Sequence, residues 1–160
     1  MNPDLPGHFE NWREGEGYQL YFHHIDRLWF GQTKTIWRFR LIHEHPAQFV
    51  QNDGTIIRSA AVFLTDGGSS PIVTQGWVNP FRFLGFFWHD SGYRDRGLTV
   101  KPAGEDRFRF MKLTQGQLDA LLRVMCRCDP VLPCGRWKAG LIWGILRGFG
   151  WYAWHFEAGS

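Results

Sequence analysis

The chain has 160 residues, of which 44% are hydrophobic and 17% aromatic, and its formal net charge is only +3. This apolar content excludes a globally disordered protein, and the length suits one domain that buries roughly two-thirds of its unfolded surface. Because the cations are scattered along the chain and not massed, nucleic acid is not the expected partner.

The cysteines indicate the redox state of the cellular compartment. Cys126, Cys128 and Cys134 are an odd number within nine residues, which does not suit a disulfide framework and favours a reduced compartment. Residues 1–17 are polar and rich in Gly, Pro and Glu, and they predict an extended arm that is ordered only if something holds it. They lack the basic start and apolar run of a signal peptide, and residues 18–160 are expected to form a single domain.

The first half of the chain predicts strands. Residues 18–49 contain short β-branched and aromatic runs with partial alternation, interrupted at Gly31-Gln32, which indicates a hairpin. Asn52-Asp53-Gly54 is a strong turn signal, so a second hairpin or strand pair should follow. A small, mainly antiparallel sheet is therefore expected at the N-terminal end.

The second half is mostly helix-compatible. Helices are predicted over residues 80–94 and 115–128, the second opening with Thr114 and Gln117 in the spacing of a capping box. Residues 97–113 suit a loop with a short strand. With strands first and about three helices after them, the predicted fold class is α+β.

The third predicted helix is an apolar segment from near Gly135 to about Phe156. Lys138 and Arg147 interrupt it and it contains several Trp, so it makes a poor membrane-spanning helix. Two interpretations remain open for it, contact with a bilayer interface and burial against the other helices.

The sharpest local signal is the segment FFWHDSGYRDR. On a helix, His89 and Tyr93 share a face, whereas Asp90 is rotated by about 100 degrees to a neighbouring face. Asp119 is a lone acid on the predicted core-facing side of the second helix, where a carboxylate needs a partner. A hydrogen bond from one ring nitrogen of His89 to the Asp119 carboxylate would fix the tautomer of His89 and leave its other ring nitrogen as a base, which is the chemistry of a His-Asp dyad.

A glycine-rich loop precedes this helix. Asp66, Gly67 and Gly68 could turn oxygen atoms toward an ion, and Asp90 could add a carboxylate oxygen, so calcium is the predicted metal. The bland interpretation is that the loop is only a loop and that the His-Asp pair only caps and solvates a helix end. Ser69 or Ser70 is an alternative nucleophile with His89 as its base.

Over residues 62–152 the chain resembles the domain-of-unknown-function 1353 family of phages and prophages, which has a Thr-Asp-x-x-Ser-x-Pro loop, a His-Asp-x-x-Tyr motif and a later Ala-Asp helix. The matching residues are Thr65, Asp66, Ser69, His89, Asp90, Tyr93 and Asp119. Two departures are that Ser70 directly precedes Pro71, and that Ser91-Gly92 replaces a bulky pair, where the glycine should weaken the helix and open space. The resemblance implies a phage or prophage protein in the host cytoplasm or virion, with phage structural proteins as possible partners, and it implies no established activity.

The segment HDSGYRD is also similar to the His-Asp-x-x-Tyr helix of phospholipase A(2), especially the small prokaryotic form. That looser resemblance implies that His89 deprotonates the attacking water, Asp90 binds calcium, and Tyr93 and Asp119 hold His89 in register. The usual calcium loop is not recognisable beyond residues 66–68, and the disulfides of the secreted enzymes are missing.

Two functions therefore remain open on the sequence. One is a phage hydrolase that acts on a lipid or another ester, with calcium as a cofactor and a lipid surface as a possible partner. The other is a virion, tail or lysis-associated structural protein in which the same residues form a buried framework. The sequence leaves the substrate and the oligomeric state open.

Overall fold

A computed structural model describes residues 1–27, 33–65, 84–130, 135, 137, 139–141 and 144 of the chain. Within these ranges the fold is α+β and consists of two antiparallel sheets and helices packed against them. The predicted fold class is confirmed.

The smaller sheet has three strands in the order β2-β3-β6, with β2 at Tyr18–Arg27, β3 at Thr33–Leu41 and β6 at Val62–Thr65. The pairing of β2 with β3 confirms the first predicted hairpin, whose turn at residues 31–32 lies outside the described residues. Strand β6 pairs only with the part of β3 from Trp37 to Arg40. The end of the β2-β3 hairpin that is nearer its turn therefore extends beyond β6.

The larger sheet has five strands in the order β1-β4-β5-β7-β8, all antiparallel to their neighbours. Its strands are β1 Gly7–Glu10, β4 Gln48–Gln51, β5 Ile56–Arg58, β7 Gly97–Lys101 and β8 Arg109–Lys112. Strands β7 and β8 follow the first helix in the chain and complete the sheet that β1, β4 and β5 begin. The sequence predicted a sheet followed by helices, and that order did not include this long-range pairing.

The predicted turn at Asn52-Asp53-Gly54 joins β4 to β5. Gly54 has a φ of 88°, a conformation that glycine adopts without steric cost, and the backbone N–H of Thr55 donates to the Asp53 carboxylate at 2.8 Å. The turn therefore forms for the reasons that its residue types predict.

The predicted N-terminal arm is held by the larger sheet. Strand β1 pairs with β4, and Phe9 is buried in contact with Phe49 and Trp88, with ring centroids 5.0 and 5.4 Å apart. Residues 7–10 of the predicted arm are therefore an edge strand of this sheet.

Two helices lie between and after the later strands, α1 at Gly85–Asp95 and α2 at Gln115–Arg127. The capping box at the start of α2 is confirmed, because the Thr114 hydroxyl accepts from the Gln117 backbone N–H while the Gln117 side chain accepts from the Thr114 N–H. Helix α1 ends with Arg96 in the left-handed region, at a φ of 55°.

The predicted third helix is described only in part. Trp137, residues 139–141 and Gly144 are helical, and the remainder up to Phe156 lies outside the described residues. Within the described part of the chain, no helix is long and apolar enough to cross a membrane. Neither Cys126 nor Cys128 forms a disulfide with a described residue, and Cys126 is buried.

Helix α1 is buried on most of its surface and ties both sheets together. Phe87 packs on Phe39 of the smaller sheet with ring centroids 5.0 Å apart, while the Trp88 indole N–H donates to the carbonyl of Ile57 in the larger sheet at 3.1 Å. Because the helix is fixed on both sides, the polar side chains that it carries are held in a rigid setting.

Candidate functional site

The site begins with two residues one helical turn apart on α1. His89 and Tyr93 share a face, and their ring centroids lie 4.1 Å apart with the planes tilted by 36°. Their neighbours Phe86, Phe87 and Trp88 are buried, so this polar pair lies within a mostly apolar helix.

Asp119 of α2 completes the cluster. Its Oδ1 atom lies 3.1 Å from Nε2 of His89 and accepts from the Tyr93 hydroxyl at 2.5 Å. The predicted contact of Asp119 with His89 or Tyr93 is confirmed, and a single oxygen atom makes both. With an exposed fraction of 1%, Asp119 satisfies the rule that a buried carboxylate needs donors.

This geometry favours one tautomer of His89. A carboxylate oxygen only accepts, so the ring donates through Nε2, and in the neutral imidazole Nδ1 then carries a lone pair. In the part of the chain that the structure describes, no hydrogen-bond partner contacts Nδ1 of His89. The ring nitrogen on the far side of the dyad is therefore the one suited to take a proton from a ligand.

Two glycines bring α1 close enough to α2 for these bonds. An added Cβ at Gly85 would lie 2.8 Å from Cβ of Met125, and one at Gly92 would lie 2.4 Å from Cδ2 of Leu118. The expectation that Gly92 opens space was wrong, because the Leu118 side chain packs where a Cβ would be. Gly85 and Gly92 flank His89 at helical spacing, so they set the distance that the dyad spans.

Asp90 points to a different neighbour. Its Oδ2 atom accepts from the Thr65 hydroxyl at 2.5 Å, which joins α1 to the last residue of β6. Thr65 is buried, and Asp66 follows it directly in the sequence. The chain thus enters the predicted loop from a residue bonded to the site helix.

A calcium ion binds about six to eight oxygen atoms. Asp66, Gly67 and Gly68 lie outside the described residues, as do Ser69 and Ser70. Asp90 is the one predicted ligand that is described, and within the described ranges no three His, Cys, Asp or Glu side chains come together as a metal site. The described residues therefore do not fit a calcium ion by themselves.

Sequence reasoning missed one buried acid beside the site. Asp129 follows α2, and its Oδ2 atom accepts from the backbone N–H of Leu84 at 2.8 Å, where α1 begins. It supplies the N-terminal cap that Leu84 cannot provide with its own side chain. In the sequence, Asp129-Pro130 signals only a helix end, and nothing local points to a helix 45 residues upstream.

No protein-family model matches the chain, and neither curated proteins nor solved structures give a match. The functional interpretation of the site therefore comes from its geometry, and the two resemblances stay predictions.

Proposed function

We propose that this protein is a hydrolase that uses water activated by His89 to cleave a lipid or another ester. The observation that carries the proposal is the shared acceptor: Oδ1 of Asp119 accepts from His89 Nε2 and from the Tyr93 hydroxyl. This orientation leaves Nδ1 of the neutral imidazole unprotonated, as a general base requires.

The chemistry assigns one role to each residue. Nδ1 of His89 takes a proton from water as the water oxygen attacks the ester carbonyl, and the imidazolium later gives that proton to the departing alkoxide. Asp119 stabilises the imidazolium and holds the tautomer, as the acid does in a Ser-His-Asp triad. Tyr93 is a positioning residue, because its hydroxyl fixes the carboxylate that orients His89.

An apolar strip beside the site supports a lipid-like ester as substrate. One cross-strand row of the smaller sheet contains Thr65, Trp37 and Phe22. The row lies on the face that contacts α1, and its Thr65 hydroxyl donates to Asp90. Phe22 and Trp37 meet edge to face at 6.1 Å, and Phe22 is 59% exposed. An exposed aromatic side chain in a row that ends beside the site helix suits a ligand with an apolar chain and a polar ester.

Calcium remains a proposed cofactor, with Asp90 as its predicted ligand and residues 66–68 as the remaining ones. No step of the hydrolysis described above passes through the ion. If calcium is required, a chelator should abolish hydrolysis and added calcium should restore it, whereas magnesium, which demands stricter geometry, should not replace it.

A specific observation favours a second candidate. The side chains of His89 and Asp119 are only 5% and 0% exposed, so the dyad suits a buried framework equally well. On that interpretation the chain is a virion, tail or lysis-associated structural protein of a phage, with phage structural proteins as partners. The phage origin and a location in the host cytoplasm or virion rest on the family resemblance.

His89→Gln separates the two candidates, because the amide nitrogen still donates to Asp119 while the basic nitrogen is lost. For a hydrolase we expect hydrolysis of phospholipid or simple esters to fall about a hundredfold or more, with unfolding free energy changed by about 1 kcal/mol or less. His8→Gln is the matched control, since His8 is an exposed histidine far along the chain from the site.

Two results would contradict the hydrolase. If the unchanged chain hydrolyses no ester in the panel with or without calcium, the framework interpretation stands. If His89→Gln keeps full activity, His89 is not the base. Tyr93→Phe should lower the rate less than His89→Gln does, because it loosens Asp119 and leaves the base in place.

A further inference from the structure

The smaller sheet exposes an unusual amount of apolar surface. Among the described residues, eight large apolar side chains are exposed, and five of them lie on β2 and β6: Tyr21, Phe22, Ile25, Val62 and Leu64. Single exposed apolar residues are ordinary, but several that share one face of a small sheet indicate an interaction surface.

Three of these five share the outer face of the sheet with two arginines. Tyr21, Arg38 and Leu64 form one cross-strand row, and Arg40 and Val62 pair in the neighbouring row. Their side chains point away from Phe39 and Phe63, which alternate with them along the strands and are buried against α1. We call the five residues Tyr21, Arg38, Arg40, Val62 and Leu64 the basic-apolar face.

The described residues do not neutralise the charge of this face. Arg38 and Arg40 are exposed, and neither guanidinium has a hydrogen-bond or ion-pair partner in the part of the chain that the structure describes. Strands β2 and β3 together contain four cations, Arg27, Lys34, Arg38 and Arg40, against the single acid Asp26. The hairpin therefore has a net charge of +3, as large as that of the whole chain.

We propose that the basic-apolar face attaches the protein to an anionic lipid surface. Exposed cations attract anionic headgroups, and the apolar side chains between them enter the boundary with the acyl chains. The three apolar residues are 44% to 51% exposed, so they are accessible to the bilayer without unfolding. This attachment is independent of hydrolysis at His89, because the face lies on the opposite side of the sheet from α1.

Other occupants suit the face less well. A second copy of the same face would bring four arginines together, which costs free energy. Single-stranded nucleic acid prefers several aromatic side chains on which bases stack, whereas this face has one aromatic residue, Tyr21, beside the aliphatic Val62 and Leu64.

The test is sedimentation of the full chain with vesicles of phosphatidylcholine alone or mixed with phosphatidylglycerol. We expect binding only to the anionic vesicles, weakened by high salt because the charges are exposed. Arg38→Gln with Arg40→Gln should lower the partition coefficient about thirtyfold, and Val62→Thr with Leu64→Thr roughly tenfold.

Matched variants distinguish this face from general charge. Arg107→Gln with Lys112→Gln removes two exposed cations elsewhere and should leave vesicle binding unchanged, while Arg38→Lys with Arg40→Lys should keep most of it. Thermal melting by circular dichroism verifies that each variant is folded. The proposal is overturned if the chain does not bind anionic vesicles, or if the control pair lowers vesicle binding as much as the Arg38 and Arg40 pair does. The same sedimentation with DNA or an acidic protein gives a third outcome. Binding that depends on Arg38 and Arg40 but occurs only with one of these partners also overturns it. Ester hydrolysis by the arginine variants, measured on a soluble substrate, should equal that of the unchanged chain.

Discussion

Replacing Gly92 by alanine tests whether close helix packing builds the dyad. In an open helical position this change stabilises a protein by about 1 kcal/mol, because alanine has the higher helix propensity. At Gly92, however, the new Cβ would lie 2.4 Å from Cδ2 of Leu118, which is about 1 Å closer than ordinary contact. Leu118 is itself fully buried, so its side chain has little room to turn away.

Overpacking of this kind costs about 1 to 3 kcal/mol, which outweighs the gain in helix propensity. We therefore expect Gly92→Ala to lower the free energy of unfolding by about 1 kcal/mol. Gly85→Ala should cost more, about 2 kcal/mol, because the atom it meets is Cβ of Met125, which is fixed to the backbone. Gly85 is also the first residue of α1, where helix propensity counts least.

Urea denaturation of the three proteins gives these differences directly. Gly140→Ala is the matched control, because this helical glycine has no described atom within 4 Å of an added Cβ and the substitution should stabilise or be neutral. If Gly92→Ala stabilised the protein as much as the control does, the close approach of α1 to α2 would not depend on this glycine, and the packing argument would be wrong.

Two further predictions concern buried polar groups. Asp129→Ala should lower the free energy of unfolding by about 1 to 3 kcal/mol in urea denaturation, since it leaves the Leu84 N–H without its acceptor. The Asn side chain of Asp129→Asn still offers an acceptor oxygen, so an equal loss of stability in that variant would contradict the capping role. Burial, followed by the charges of Glu14 and Asp129, raises the pKa of Tyr18 to about 12 from its ordinary value of 10. The folded chain therefore favours the neutral phenol of Tyr18. The contribution of this group to the free energy of unfolding is fully present below about pH 10. It is lost as the pH rises toward 12, by up to about 2 to 3 kcal/mol. Tyr18→Phe should flatten this alkaline loss, and identical pH profiles of the two proteins would contradict the assignment.

The parts of the site that sequence could predict follow from local rules. Asp119 was predicted because an acid on the apolar face of an amphipathic helix needs a donor, and His89 and Tyr93 were predicted because a spacing of four places them on one face. The capping box at Thr114 and the turn at Asp53 likewise depend on neighbours in the chain.

The parts that sequence could not predict depend on distant residues. The pairing of β5 with β7, the bond of Thr65 to Asp90 and the cap from Asp129 each join segments that no periodicity relates. The packing at Gly92 could not be predicted for the same reason. In an isolated helix this glycine only lowers stability, whereas in the fold the distant Leu118 packs against it.

The strand order of the larger sheet has a consequence for synthesis on the ribosome. Strands β1, β4 and β5 are made early, but β5 receives its second neighbour only when β7 emerges, roughly forty residues later. At about 5 to 20 residues per second, the backbone groups along that side of β5 wait roughly 2 to 8 s for their partners. During this interval the nascent chain exposes an open strand edge, so truncated products that end before β7 should be the aggregation-prone forms of this protein.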